Sequence, residues 1–415
     1  MMRKREAGFT LAEMIVALGV TSILLLAVLA TFDLNSRVAR VQTNVSDMQQ
    51  SSRVAQDQIV RLVRMAGRGS LPLADASPFP QGVALAVRDN VADNQFLVGT
   101  EPATRILPGT DVLTVRGVFG TLYQINSAAS VTYDSPDTGK LTVLATTPGG
   151  ATQDLTPLKN AIKDPNTNNT VPEAILLAGA ADDGIHAVVE LVGGTIETDR
   201  VVLSFKIQGS DKSNAYGKLS TGGTFPRTSL QNIAFAGIVE EYRFYVREEH
   251  AVAADRNSDL TPKLALARFY PNTDLPYKGE AVNAWQDLAD NILDLQVAFG
   301  FDSSNGGRRS DDIDDTGTDD QILETADGTN DDWLFNASAD KPEDAPWQAA
   351  PKPALQYVRV TTVARTDRRD HDYQAPLLTR SEDHSYATND AATNTAGARM
   401  YRRRTQRTVI DVRNL

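Results

Sequence analysis

The hydrophobic pattern of the chain begins with a short charged segment followed by a long apolar run. Residues 3–5 are Arg-Lys-Arg, and 19 residues from Met14 to Phe32 carry no charge. As a helix rising about 1.5 Å per residue, this run spans roughly 28 Å, close to the thickness of a bilayer core. The basic flank should remain cytoplasmic, which would leave the long C-terminal part outside. The pattern therefore predicts a single transmembrane helix.

Apolar or small residues then recur at alternating spacings of four and three, which is typical of one face of a continuous helix. They are Leu34, Val38, Val41, Val45, Met48, Ser52, Ala55, Ile59, Leu62 and Ala66. No glycine or proline interrupts residues 20–66, whereas Gly67, Gly69 and Pro72 supply a stop. We expect one helix over residues 9–66, about 87 Å long, with residues 9–32 as its transmembrane half. The stripe should pack on a globular domain, and a free coiled coil is the alternative.

The rest of the chain, residues 67–415, changes to short β-rich runs between Gly, Pro, Asn and Asp clusters. One short helix is expected at Ala281–Asn291. The predicted strands are Val83–Val87, Asp111–Val118, Ala129–Tyr133, Lys140–Leu144, Ala187–Val192, Arg200–Ile207, Val239–Arg247, Leu264–Phe269, Leu293–Phe299, Tyr357–Arg365 and Thr408–Val412. The expected fold class is α+β, a long N-terminal helix packed on an antiparallel, β-sheet-rich globular domain with large loop insertions.

Two simpler interpretations of the apolar run are a cleaved secretory signal and a plain membrane anchor. A secretory signal needs a small-residue cleavage site after the run, and Ala27–Thr31 matches one only weakly. Glu13 argues against both interpretations, because a carboxylate costs roughly 2.5–3.5 kcal/mol at the centre of a membrane helix, less near its end. A Glu tolerated at the membrane interface remains the alternative.

Gly8-Phe9-Thr10-Leu11-Ala12-Glu13 resembles the processing motif of type IV prepilins. The resemblance implies that a prepilin peptidase removes the leader, residues 1–8, by cutting between Gly8 and Phe9, and then methylates Phe9. It also implies an assembly role for Glu13, whose carboxylate would pair with the new amine of a neighbouring subunit and set its axial register. Major pilins often carry a helix-breaking proline where this chain has Ala30, so this helix should stay intact.

Several downstream segments resemble PilW-type minor pilins. They are Arg64–Gly67, Gly109–Arg116, Asn291–Asp302, Val358–Arg365 and the close from Tyr401 to Asn414. This chain is longer than a typical member, and the excess lies in residues 145–185, 209–235 and 303–350. The resemblance implies a minor pilin near the tip of a type IV pilus that helps to initiate assembly and supports adhesion or motility. Its partners would be other major and minor pilins.

The same resemblance implies a location in the inner membrane before assembly and in the extracellular pilus afterwards. Two rival functions share the pilin helix. One is a pseudopilin of a type II secretion system, which neighbouring genes would distinguish. The other is a surface adhesin or carbohydrate-binding module that uses the pilin helix only as an anchor, and binding by its globular domain would distinguish that one.

An acidic stretch, residues 311–344, holds thirteen Asp or Glu and one Lys. Within it, Asp312, Asp314, Thr316 and Asp320 approach the spacing of a calcium loop. The twelfth position is Leu323 rather than Glu, so a true EF-hand is not indicated. A looser Ca²⁺ site and a solvated acidic loop are the two interpretations.

Composition excludes several classes of function. The chain has no cysteine, which removes disulfides, thiolate metal sites and cysteine nucleophiles. Its net charge of -12 does not favour nucleic acid as a partner. Five arginines between Arg399 and Arg407 form either a DNA- or surface-binding patch or the charged start of a strand, and we favour the strand. The four histidines are scattered and no catalytic motif is present, so we expect neither an enzyme nor a cofactor.

Overall fold

The computed structural model describes residues 10–68, 84–100, 104–126, 131–135, 138–163, 173–179, 186–206, 233–252, 259–271, 276–277, 285–302, 333–335 and 354–412. Its first element is helix α1, Leu11–Arg64, which is unbroken over 54 residues. The helix passes straight through Ala30, so the expectation of an intact helix is confirmed. Gly67 lies just beyond its end with φ of 72°, a left-handed conformation that glycine adopts without strain and that commonly ends helices.

The strands of the described regions pair antiparallel throughout. The first nine are β1 Leu85–Arg88, β2 Val112–Gly117, β3 Tyr123–Gln124, β4 Val131–Tyr133, β5 Thr138–Leu144, β6 Ala174–Ala178, β7 His186–Ile196, β8 Arg200–Lys206 and β9 Phe235–Ile238. The others are β10 Glu240–Arg247, β11 Lys263–Phe269, β12 Trp285–Asp290, β13 Ile292–Asp302, β14 Trp333–Leu334, β15 Ala354–Arg365, β16 Arg380–Ser381, β17 His384–Ser385 and β18 Arg403–Asp411. Helix α2 is Thr156–Lys163.

These strands form three large sheets and one small hairpin. A five-stranded sheet has the order β1-β2-β10-β11-β12, and a four-stranded sheet has the order β14-β13-β15-β18. A seven-stranded sheet, β3-β9-β6-β7-β8-β5-β4, is built wholly from residues between β2 and β10. The hairpin is β16-β17. A long N-terminal helix with an antiparallel, sheet-rich remainder confirms the α+β expectation.

The C-terminal half of α1 packs against β12, β15 and β18. Its stripe from Met48 to Ala66 is covered, and Ala55, Ile59 and Val63 are fully buried in one hydrophobic core with residues of the five- and four-stranded sheets. The predicted stripe is therefore right in register but too long at its start. Leu34 and Val38 remain exposed, because the described globular part covers the stripe only from about Val41 onward.

The seven-stranded sheet has a core of its own, formed by one face of the sheet and helix α2. Its strand β6 also reaches the main core, to which Ala174 and Leu176 contribute. A side chain at Gly237 of β9 would collide with Val118, which follows β2, so the two regions approach closely at this point. The seven-stranded sheet is thus joined to the main core by packing as well as by the chain.

The predicted helix at Ala281–Asn291 is wrong where the structure describes it, since residues 285–290 form strand β12. This strand pairs with β11, with Lys263 opposite Asp290 and Leu264 opposite Ala289. The segment is too short for its weak helical preference to compete with a full set of backbone hydrogen bonds to β11. Asn291, with φ of 61°, ends the strand in a conformation that asparagine tolerates.

Two elements lie in residues 145–185, which the sequence analysis assigned to excess length. Helix α2 begins after Asp154, whose side chain accepts a hydrogen bond from the backbone N–H of Thr156 (2.9 Å). Strand β6 is buried over all five residues, so it has no alternation of polar and apolar positions, and four of its residues are Ala or Leu. Neither signal fits the period-two pattern from which the other strands were predicted.

Candidate assembly site on the N-terminal helix

The first half of α1 exposes a continuous apolar surface. The exposed large side chains are Leu11, Met14, Ile15, Val16, Leu18, Val20, Ile23, Leu24, Leu25, Leu26, Val28, Leu29 and Phe32. The helix is long and apolar enough to cross a membrane by length and composition, and none of its most apolar window is buried. An apolar surface of this size is stable only in lipid or against other apolar helices.

Two hydroxyl groups on this surface form hydrogen bonds within the helix. Ser22 Oγ donates to the carbonyl of Leu18 and Thr31 Oγ1 to the carbonyl of Ala27, each at 2.8 Å. These bonds to the preceding turn remove the cost of unpaired hydroxyls in an apolar medium. The surface is therefore suited to hydrocarbon at these two positions.

The helix begins with a capping box formed by Thr10 and Glu13. The Glu13 carboxylate accepts hydrogen bonds from the backbone N–H and the hydroxyl of Thr10, both at 2.9 Å. In return, Thr10 Oγ1 accepts from the backbone N–H of Glu13 (3.3 Å). This reciprocal arrangement satisfies orphan donors of the first turn and fixes the carboxylate at the start of the apolar surface. Both Thr10 and Glu13 are exposed, so the carboxylate can be reached from outside the subunit.

Charges resume where the apolar surface ends. Asp33 and Arg37 form an ion pair one helical turn apart (3.0 Å), and Arg37 also contacts Asp372 of the globular part (3.3 Å). All three side chains are well exposed, so these pairs contribute little stability. These ion pairs mark the boundary between the apolar surface and the polar part of the helix.

Farther along, α1 is tied to β18 by buried polar contacts. Ser52 Oγ donates to Gln406 Oε1 (2.7 Å), and Gln56 Nε2 donates to the carbonyl of Gln406 (2.9 Å) and to Thr362 Oγ1 (3.2 Å). Gln56 also accepts from the hydroxyl of Thr408. These directional bonds fix the rotation of the helix on the sheet.

Of the predicted site residues, the structure places only Glu13. Gly8 and Phe9 lie outside the described residues, and so do Asp312, Asp314, Thr316 and Asp320 of the predicted calcium loop. Processing at Gly8–Phe9 and Ca²⁺ binding therefore stay predictions. Within the part of the chain that the structure describes, no cluster of three or more His, Asp or Glu side chains is arranged to hold a metal ion.

The arginine cluster before and within β18 is engaged inside the protein. Arg402 pairs with Asp370 (2.8 Å), and Arg407 pairs with the buried Glu382 (3.2 Å). Arg399 and Arg403 donate to backbone carbonyls. These contacts favour the structural interpretation of the cluster over a binding patch.

The sequence analysis missed the partners of the helix. Thr10 was not assigned a role, although Thr-x-x-Glu before an apolar run is the sequence signature of a capping box. Gln56 follows Ala55 of the predicted stripe but is not part of the stripe. No local pattern indicates that its amide meets Gln406, far along the chain. Asp372 likewise becomes a neighbour of Arg37 only through the fold.

Comparison with known proteins agrees with this geometry. Residues 3–29 match the family model of the prokaryotic N-terminal methylation motif, and residues 243–414 match the model of Type IV Pilus-assembly protein W. Comparison with curated protein sequences finds no match. A solved structure, a type IV-like pilin from Thermus thermophilus, is 12% identical, with 59% of this chain and 87% of that chain covered and a TM-score of 0.20. At that TM-score the likeness carries no weight.

The helix, its capping box and the methylation motif define a type IV pilin-like protein. Residues 243–414, less than half of the chain, are similar to the family described as Type IV Pilus-assembly protein W. The methylation motif implies processing by a prepilin peptidase and contact with other pilins. The resemblance found from the sequence is therefore confirmed.

Proposed function

We propose that this protein is a non-catalytic minor pilin that enters a type IV pilus in few copies, near the tip, and helps to initiate assembly. The observation that carries the proposal is the exposed apolar half of α1, with the Glu13 carboxylate at its start. This surface has no partner within the described part of the subunit. Neighbouring pilin helices offer the apolar partner that replaces lipid when the subunit leaves the membrane.

Glu13 gives the contact its register. In the isolated subunit its hydrogen-bond donors are the neutral groups of Thr10. Cleavage between Gly8 and Phe9 would create an amine, and the amine of a neighbouring subunit would supply the positive charge. A carboxylate in an apolar surface is stabilised strongly by such a cation, which makes one axial offset of two helices better than the others.

The size of the globular part favours few copies and a terminal position. Three sheets and helix α2 are attached to one end of α1, and the seven-stranded sheet adds a second hydrophobic core beside the main one. Subunits that repeat along a thin filament must pack their globular parts side by side around the helices. At a filament end, neighbouring subunits limit this volume less, and a terminal subunit is well placed to support adhesion or motility.

The same features suggest where the subunit is located before and after assembly. Before assembly, α1 would cross the inner membrane once with residues 1–8 in the cytoplasm, where the prepilin peptidase acts. The globular part would fold on the other side, and the assembled subunit would become extracellular. A pseudopilin of a type II secretion system is the second candidate, because the methylation motif and the apolar helix suit that role equally well.

Deletion of the gene tests the proposal. We expect few or no surface pili in the deletion strain, restoration by the wild-type chain, and antibody labelling at filament ends. Normal pilus numbers with loss of protein secretion would instead identify the pseudopilin. Labelling distributed evenly along filaments would contradict the terminal position. Normal pili together with loss of surface binding would support the anchored adhesin.

A further inference from the structure

Helix α1 and strand β18 run in the same direction, which locates the segment before β18, residues 366–402. Ser52 Oγ donates to Gln406 Oε1, and Gln56, one helical turn later, accepts from the hydroxyl of Thr408. Moving along the helix away from its apolar half therefore moves forward along the strand. The segment that precedes β18 thus lies at the end of the globular part nearest to the apolar half of α1.

A direct contact shows how near this end comes to the apolar surface. Asp372 Oδ2 accepts from Arg37 Nη1 (3.3 Å), and Ser36 is half-buried although its neighbours on the helix are exposed. Arg37 is five residues past Phe32, the last residue of the apolar run. At about 1.5 Å per residue, this separation is roughly 7.5 Å. A headgroup layer is roughly 5–8 Å thick, so Asp372 lies at its outer boundary when the apolar run fills the hydrocarbon.

Two exposed arginines at this end have no partner in the described part of the protein. Arg37 contacts both Asp33 and Asp372. Arg40 and Arg368 are exposed as well, and neither side chain forms a hydrogen bond or an ion pair with another described residue. Each guanidinium therefore offers a positive charge and a fork of N–H donors, which is the geometry that suits a phosphate group.

The direction of the helix brings Arg40 within reach of the headgroups. Arg40 lies about 12 Å past the apolar run, but side chains on a helix lean towards its N-terminus, which here is the side of the membrane. Leu34 and Val38 on the same part of α1 and Leu377 in the segment are also exposed. Exposed apolar side chains beside arginines are typical of a surface that lies in the interfacial layer of a bilayer.

Negative charge is concentrated at the opposite end of the four-stranded sheet. The acidic stretch, residues 311–344, connects β13 to β15 between Asp302 and Ala354, which pair at the far end of these strands from Arg365. Near the apolar half of α1, Asp367 is the other exposed carboxylate of the segment, and its charge acts on the buried Arg365. An anionic surface therefore favours the orientation in which the acidic stretch is attached at the end that faces away from the bilayer.

We propose that, before assembly, residues 366–380 and Arg40 form a docking surface for phospholipid headgroups, whose phosphates accept hydrogen bonds from Arg40 and Arg368. The docking surface depends on the single membrane crossing of the proposed function, and it adds a defined orientation to the subunit that waits for assembly. Contacts between exposed charges are individually weak and are screened by salt. The subunit can therefore leave the bilayer when a neighbouring pilin replaces the lipid.

Spin labelling of the mature chain in lipid nanodiscs tests this contact. The chain has no cysteine, so Gln374→Cys places a single nitroxide on an exposed position of the docking surface. Ni²⁺ chelated on lipid headgroups broadens the signal of a nitroxide that lies close to the membrane surface. We expect strong broadening in the Gln374→Cys protein. Little is expected for Gln50→Cys, an exposed position of α1 about 27 Å past the apolar run.

The lipid and the arginines separate a headgroup contact from mere proximity. The broadened fraction should be larger with phosphatidylglycerol than with phosphatidylcholine, whose choline cation competes for the phosphate. Arg368→Gln and Arg40→Gln should each lower the ratio of docked to undocked chains by about fivefold in phosphatidylglycerol, because one arginine is lost from the anionic surface. Arg61→Gln, a change at an exposed arginine farther along α1, should leave the ratio unchanged.

Three other results would count against the docking surface or its basis. Equal broadening in the two lipids, or equal ratios in Arg368→Gln, Arg40→Gln and the wild type, would overturn the headgroup contact and leave the proposed function untouched. Failure of the proposed membrane crossing would look different, because the wild-type chain would then not insert into nanodiscs at all. An unchanged ratio together with poorer incorporation of Arg368→Gln into pili would overturn lipid as the partner and assign the surface to a neighbouring pilin.

Discussion

The side-chain amide of Gln56, in the middle of α1, donates a hydrogen bond to the backbone carbonyl of Gln406 in the last strand, at 2.9 Å. Gln56 is almost fully buried, at 3% exposure, and its other partners are Thr362 and Thr408. One amide thus joins the N-terminal helix to two neighbouring strands of the four-stranded sheet. Because an amide bonds in fixed directions, this contact sets the orientation of the helix more sharply than apolar packing alone would.

Gln56→Ala should therefore lower the stability of the globular part by about 1–3 kcal/mol, because the carbonyl of Gln406 and the hydroxyl of Thr408 lose a partner. Thermal unfolding of the mature chain in detergent, followed by near-UV circular dichroism, measures the loss. Gln50→Ala is the matched control, since Gln50 is an exposed residue of the same helix. Equal melting temperatures of the two variants would show that the buried amide contributes nothing.

The second prediction concerns pH and the pair formed by Asp383, beside the β16-β17 hairpin, and Asp89, after β1. Burial, followed by the negative charge of Asp89, raises the pKa of Asp383 from 3.8 to about 8. Asn90 Nδ2 donates to Asp383 Oδ2 (2.7 Å), while Asp383 Oδ1 is buried without a hydrogen-bond partner in the described structure. Burial also raises the pKa of the nearby Asp111.

Because the folded pKa of Asp383 is the higher one, the folded protein holds a proton that the unfolded chain has lost at intermediate pH. The stabilisation is complete below pH 4 and is lost as the pH rises towards about 8. Asp383→Asn mimics the protonated acid, so it should stabilise the protein by about 2 kcal/mol or more at pH 8 and have little effect at pH 4. Melting temperatures of the wild type and of Asp383→Asn, measured between pH 4 and pH 8, test this prediction. A difference that does not grow with pH would refute the raised pKa.

Processing is the third prediction. Mass spectrometry of the protein from membranes or pili should find a chain that begins with N-methylated Phe9. In a host without prepilin peptidase, residues 1–8 should remain. A mature chain that starts after Ala30 would instead identify an ordinary secretory signal, and a retained Met1 in a host with active peptidase would contradict the cleavage site.

The fourth prediction separates assembly from membrane insertion. Glu13→Ala should leave cleavage and insertion intact but reduce incorporation into pili by about tenfold or more, since a charge-assisted contact of ~1.5–3 kcal/mol is lost. Asp33→Ala is the control, because Asp33 is another exposed carboxylate of α1 that already has a partner in Arg37. Quantitative immunoblots of purified pili measure incorporation. The assembly role of Glu13 would be lost if the two variants were incorporated equally.

The periodicity of the sequence was sufficient to predict α1, because apolar residues recur at helical spacing and no glycine or proline occurs between Val20 and Ala66. It was also sufficient for strands such as β15, where β-branched residues are frequent. It failed for β6, which is buried on both faces and lacks alternation, and for β12, whose conformation depends on pairing with β11. The arrangement of strands in sheets was not predictable, because β2 pairs with β10 across more than a hundred residues.

The candidate sites differ in the same way. Glu13 was found from sequence because a carboxylate inside an apolar run is a local anomaly. Tyr401 and Arg365, by contrast, come together from separate segments, and neither has an unusual neighbourhood in the sequence. The two side chains meet only because the fold places the end of β15 beside the segment before β18.

The contact between α1 and β18 has a consequence for the order in which the molecule can be completed. In the proposed course of the subunit, α1 enters the membrane before β15 and β18, which cover it and lie much later in the chain, have crossed. Until they arrive, the stripe from Met48 to Ala66 stays open to water. In this course the helix would be anchored in the membrane before the strands that cover its stripe are in place. A chain truncated before Arg403 would remain in the membrane with an uncovered apolar face, which a quality-control protease could recognise.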